Sequence, residues 1–131
     1  MMTEAICMAC LAFAIAEVET GNKPFSVGRH GELTQYQFRQ STWEQYSDLP
    51  FKDAPRNQVE VDKVFRDHVR WIRRAIISLE KEPSINYIAI MWNAGYGNFL
   101  HGTVPDSTLD YAMRVENLFE KSSRDCQYCG Q

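Results

Sequence analysis

From residue 3 to residue 20 almost every position is apolar, and the stretch from Ala5 to Ala16 is unbroken over 12 residues. A run of this length without alternation reads as a helix buried on most of its faces. Gly21, Asn22 and Pro24 follow at once. Gly and Asn accept the left-handed conformation that ends a helix, and Pro cannot extend the hydrogen-bond ladder. The chain therefore opens on an apolar helix from about Thr3 to Thr20, expected to be the central one.

Between Phe25 and Phe38, Gly28 and Gly31 precede an alternation of Leu33, Gln35 and Gln37 with Thr34, Tyr36 and Phe38, the pattern of a short hairpin or irregular loop. Ser41 to Gln45 predicts one short helix, and the polar segment Ser47 to Gln58, with Pro50 and Pro55, predicts a surface loop. From Val59 to Leu79 the positions Val61, Val64, Phe65, Val69, Ile72, Ala75, Ile76 and Leu79 recur with the period of an amphipathic helix. His68 falls on the inner side of that stripe, where a core or boundary histidine is expected, and Arg66, Arg70, Arg73 and Arg74 form a solvated outer face. Pro83 and Ser84 open a further helix, Ile85 to Asn93, which Gly95 and Gly97 end. Gly95 to Val104 reads as a loop, and Ser107 with Asp110 resembles a capping box for a last helix from about Thr108 to Lys121. The pattern predicts a mainly α chain of about five helices with one small irregular β element.

Composition limits what such a chain can be. Its 131 residues, 44% of them hydrophobic, suit one core and are too few for two, and no repeat or Ser/Gly linker offers a boundary, so residues 1–131 read as one domain. With 14 Lys and Arg against 17 Asp and Glu the net charge is −3, which argues against nucleic acid as a partner. The 12-residue apolar run is shorter than the roughly 20 residues that cross a bilayer. It also lacks the basic flank of a signal peptide and leads directly into Glu17 and Glu19, so a buried helix is the expected reading.

Glu19 stands out chemically. At the end of an apolar helix, desolvation and the negative end of the helix dipole both disfavour its charged form, which suits an acid that delivers a proton near neutral pH. Glu17 lies about 200° around the helix from it and cannot share the same cleft.

Four segments then resemble one family, the goose-type-lysozyme-like lytic transglycosylases. Val18-Glu19-Thr20-Gly21 with Pro24 is similar to the helix end that carries the family's catalytic glutamate. Gly31 to Phe38, followed by Ser41-Thr42-Trp43, resembles its "GLMQ" loop and the helix start after it; Thr34 stands where the family has glycine, and Gln35 and Tyr36 where it has leucine and methionine. Ala89 to Gly97 resembles its "AYNAG.G" motif, with Trp92 in place of tyrosine, and Val104-Pro105 with Thr108, Tyr111 and Arg114-Val115 resembles its closing segment. The resemblance implies a lysozyme-like fold and cleavage of the β-1,4 bond between N-acetylmuramic acid and N-acetylglucosamine in peptidoglycan. Glu19 would act first as acid and then as base, giving a 1,6-anhydro product. Gln37, Asn93 and Tyr111 match cleft positions, while Tyr36, Trp92 and Tyr96 would offer flat faces to sugar rings. The resemblance implies peptidoglycan strands as partner, no cofactor, a monomer, and a periplasmic or secreted location with any leader outside the sequence given.

Hydrolysis by the usual routes needs a second carboxylate. Glu32, Asp48 and Asp53 are the candidates, and nothing in the spacing places them opposite Glu19. A hydrolytic muramidase and a catalytically weak peptidoglycan-binding protein on the same fold are the alternatives. The cysteines form two pairs, Cys7-x-x-Cys10 and Cys126-x-x-Cys129. The pattern fits disulfides that fasten the two ends together, buried thiols, or a zinc ligand set.

Overall fold

The computed structural model describes residues 6–126. Its helices are α1 (Met8–Thr20), α2 (Gln40–Tyr46), a 3₁₀ segment (Phe51–Arg56), α3 (Gln58–Ser78), α4 (Ile85–Ala94), α5 (Tyr96–His101) and α6 (Asp106–Asp125). The mainly helical expectation holds, but there are more helices than the five expected, and the β element is reduced. Among the described residues it survives only as isolated antiparallel bridges of Val27 with Leu33 and of Leu33 with Phe38.

α1 starts at Cys7, whose Sγ accepts a hydrogen bond from the Cys10 N–H, and stops where expected, at Gly21 with φ 69°. There the N–H groups of Gly21 and Asn22 satisfy the carbonyls of Glu17 and Ala16. Leu11, Ala14, Ile15 and Ala16 are buried, while Ala9, Phe13 and Glu17 face solvent. The expectation of a central first helix is corrected accordingly: α1 lies against α6 with one face open. α4, which packs against α3, α5 and α6 and buries Ile88, Ala89, Ile90 and Met91, has the more central position.

α3 buries the predicted stripe at Val61, Val64, Phe65, Val69, Ile72 and Ile76, and Arg66, Arg70 and Arg74 are exposed. Trp43 of α2 is fully buried and its Nε1 donates to the Leu49 carbonyl at 2.7 Å, fastening the segment that follows. That segment is not the surface loop expected of Ser47 to Gln58. Phe51 packs on Trp43 and Ala54 is buried, so residues 51–56 coil into the 3₁₀ turn with Pro55 inside it.

Two further expectations fail for local reasons. The Gly95 to Val104 stretch contains α5, because the Gly95 carbonyl accepts from the Phe99 N–H and Phe99 packs edge-on against Tyr87. The Ser107–Asp110 capping box is absent: α6 begins at Asp106 behind Pro105, which places Ser107 inside the first turn. At α4, by contrast, Ser84 is the N-cap as read, its Oγ accepting from the Tyr87 N–H at 3.1 Å. The core joins these helices through Leu11, Ile15, Trp43, Phe65, Ile72, Ile76 and Ile88, each fully buried. Burial of one such side chain stabilises by about 1.5–3 kcal/mol. Tyr36 and Phe38 of the 21–39 loop sink into the same core, and this fixes that loop beside the end of α1.

Candidate active site

The last turn of α1 places Glu19 at a groove of about 410 Å³ bounded by the 28–39 loop, α2, α3, and the α4–α5 junction. Burial lifts its carboxyl pKa from 4.5 to about 7, against the opposing pull of hydrogen bonds from Tyr111 and Trp92, and the charge of Glu32 adds to the rise. Tyr111, buried on α6, donates its hydroxyl to Oε2 of Glu19 at 2.9 Å. A carboxyl group with that pKa holds a proton in a good share of molecules at neutral pH, which is the condition for general-acid work.

The loop facing Glu19 is built from unusual backbone. Thr20 Oγ1 donates to the Gln35 carbonyl at 3.0 Å and so ties the helix end to the loop. Thr34 is fully buried at φ 73°, a conformation that costs a β-branched residue about 1–2 kcal/mol. Its hydroxyl accepts from the Tyr36 N–H, and its carbonyl accepts from the Gln37 backbone and from Gln37 Nε2 at 2.9 Å. The glycine of the resembled motif would sit here without strain. Gly28 makes room of a different kind: a Cβ there would lie 2.4 Å from Oε1 of Gln37 and 2.6 Å from Oε1 of Glu32, so a larger residue would push these two side-chain ends aside.

The predicted site residues divide. Gln37, Trp92, Asn93 and Tyr96 line the groove with Glu19. Asn93 Oδ1 also accepts from Thr108 at 2.6 Å, which couples α4 to α6 beside the site. Trp92 packs against Phe38, Phe65 and His68. Tyr36 is a correction. It is 5% exposed, with its ring 4.5 Å from that of Phe65, and offers no face to a sugar. The alternation predicts an exposed Tyr36, but residues 34–37 form a turn between the bridged Leu33 and Phe38, and Thr34, Gln35 and Tyr36 are all buried. Tyr111 is also corrected from a sugar-contacting residue to one that acts through Glu19, because its ring is buried behind the carboxyl.

Glu32, left unplaced by spacing, lines the groove, whereas Asp48 and Asp53 do not. Its own backbone N–H and that of His30, at 2.7 Å, hold the Glu32 carboxyl below the usual range, so it is an anion. His68 is the boundary histidine expected of its helix position and also borders the groove; burial pushes its pKa down to about 4 and leaves it neutral. Trp71, Phe38 and Arg39 are among the further lining residues and were not legible as site residues. For Trp71 a signal existed: an indole three residues after His68, among the arginines of an otherwise solvated face.

The cysteines lie at the other end of α1 from Glu19. Cys7 is disulfide-bonded, and the Sγ atoms of Cys7, Cys10 and Cys126 fall within 4.8 Å of one another, so α1 and α6 bring Cys126 to the first pair. The same three sulfurs are also close enough together to hold a metal ion, the arrangement the zinc reading requires. Cys129 lies outside the described residues. Among the described residues no helix is long and apolar enough to cross a membrane. Neither the known protein-family models, nor the curated proteins, nor the solved structures contain a match to this chain.

Proposed function

We propose that this chain is a peptidoglycan lytic transglycosylase of lysozyme-like fold, acting outside the cytoplasm on the glycan strands of the cell wall. The observation that carries this reading is Glu19: a carboxyl lining a groove, hydrogen-bonded by Tyr111 and raised to a pKa of about 7. In its acid form Glu19 protonates the glycosidic oxygen as the bond to the muramoyl anomeric carbon breaks. The carboxylate that results accepts the proton of the muramoyl 6-hydroxyl, whose oxygen closes on the same carbon. The acid is regenerated and the product carries a 1,6-anhydro ring. One residue thus serves both steps, and a hydroxyl on the same sugar has a high effective concentration over water. Gln37 and Asn93 supply amide groups for acetamido and hydroxyl groups, and Trp92, whose N–H is bonded to Glu19, supplies an apolar face.

A second reading has its own observation. Glu32 is an anion on the same groove, and a carboxylate that positions water would turn the reaction into hydrolysis. One of its oxygens is already taken by the His30 N–H, which favours the one-glutamate route.

Glu19→Gln is nearly isosteric and cannot donate the proton. Lysis of purified cell walls should fall by about 10²–10⁴-fold while binding to them persists. Turnover within tenfold of the parent would remove Glu19 from the mechanism, and a parent protein that binds walls without cleaving them would leave a binding protein on this fold.

A further inference from the structure

A row of rings leads along the groove away from the acid. Trp92 lies 5.3 Å from His68 between ring centroids, His68 lies 6.0 Å from Trp71 with the two planes 10° apart, and Trp71 meets Tyr96 edge-on at 6.0 Å. All four border the same cavity. The inner two are held in place. Trp92 is wedged against Phe38 and Phe65, and Nδ1 of His68 shares a hydrogen bond with the Tyr46 hydroxyl at 2.9 Å. The outer two are open, with Trp71 39% and Tyr96 37% exposed.

Core packing does not account for Trp71. An indole left this open forgoes much of its burial free energy, yet its plane is set by the nearly parallel imidazole of His68 and by its edge-on contact with Tyr96. A flat apolar surface of fixed orientation with one N–H donor is complementary to a pyranose ring, which has an apolar C–H face and a rim of hydroxyls.

We infer that Trp71, with Tyr96 at its edge, is a second sugar-stacking subsite, beyond the ring of Trp92, that takes an N-acetylhexosamine unit further along the same glycan, and that His68 is the positioning residue which holds the plane of Trp71. This rests on the glycan-cleaving reading of the groove and extends it to chain length: long strands engage both subsites and short ones a single subsite.

The test uses Glu19→Gln as a background that binds without turnover, with chitotriose and chitohexaose as probes in titration calorimetry. The hexamer should bind more tightly than the trimer. Adding Trp71→Ala should remove about tenfold of hexamer affinity, whereas Trp71→Phe keeps most of it. His68→Ala should weaken hexamer binding when Trp71 is present and have no effect once Trp71 is alanine, a coupling that a merely structural role would not produce. Unchanged hexamer affinity in both position-71 variants would overturn the subsite and leave the catalytic reading standing. Failure of the background protein to bind either oligomer or purified cell walls would overturn the glycan reading and the subsite with it.

Discussion

A carboxyl group whose pKa rises from 4.5 to about 7 on folding is one that the folded chain holds less readily as an anion than the unfolded chain does. The linkage has a definite sign. Glu19 costs nothing below pH 4.5, stability falls as pH rises from there to about 7, and the full penalty, on the order of 3 kcal/mol, applies above. Glu19→Gln removes this dependence. In urea titrations the variant and the parent should be alike near pH 5, and the variant should be more stable by roughly 1–3 kcal/mol at pH 8. A difference independent of pH would contradict the raised pKa. On the proposed transglycosylase reading the same group sets the rate: kcat/KM should be flat through the weakly acidic range and fall about tenfold per pH unit above 7, since only the acid form delivers a proton. A plateau extending to pH 9 would place the proton donor elsewhere. Glu19 itself was legible because it ends an apolar helix, the local sign of the burial that dominates its shift, whereas the contribution of Glu32 was not. Tyr111 as its hydrogen-bond donor was not, because the two are 92 residues apart and only the packing of α1 on α6 joins them.

At the scale of elements, the sequence shows helices wherever apolar spacing persists over several turns. α3 is placed to within one residue at each end and α4 to within one at its last, because each carries a continuous buried stripe or a true cap. α5 and the 3₁₀ turn were missed because each depends on one anchoring ring, Phe99 or Phe51, whose partner lies in another element. The loop that carries Gln37 was read as an alternating hairpin, whereas its shape comes from the left-handed Thr34 and Gln37, which periodicity does not report. The end of α3 supplies a test of this backbone argument. Glu80 is exposed at φ 60°, where its N–H and that of Lys81 bond back to Ile77 and Ile76. A left-handed conformation costs a non-glycine residue about 1–2 kcal/mol, partly offset by the extra freedom glycine has when unfolded, and a negative charge beside the helix C-terminus adds to the cost. Glu80→Gly should therefore raise stability by about 0.5–1 kcal/mol, seen as a rise of a few degrees in Tm. A loss of stability would mean that Glu80 makes a compensating contact.

For the whole molecule, the packing of α1 on α6 does two jobs at opposite ends of one helix. At the C-terminal end of α1 it brings Tyr111 to Glu19, and at the N-terminal end it brings Cys126 to Cys7 and Cys10. A disulfide that joins the ends of the chain closes a very long loop, and loop-closure entropy makes such a bond worth about 4–5 kcal/mol. Peptide mapping without reductant should pair a fragment holding residue 7 or 10 with one holding residue 126 or 129, and reduction should lower Tm. Four alkylatable thiols in protein kept under oxidising conditions, with one melting curve for both states, would contradict this. The resemblance to lytic transglycosylases pointed to the groove as a whole, but it is the folded arrangement that puts one buried acid and one solvated anion on the same cavity, and on the proposed reading these two pose the choice between ring closure and water.

That choice is read from the product. Cell walls digested by the protein and examined by mass spectrometry without borohydride reduction will show either kind of muropeptide end directly. If Glu19 alone serves as acid and then base, the 6-hydroxyl captures the anomeric carbon ahead of water, and the fragments end in 1,6-anhydromuramic acid, lighter by one water and without a reducing end. Fragments that end mostly in reducing N-acetylmuramic acid would contradict the one-glutamate account and make Glu32 the residue that directs water.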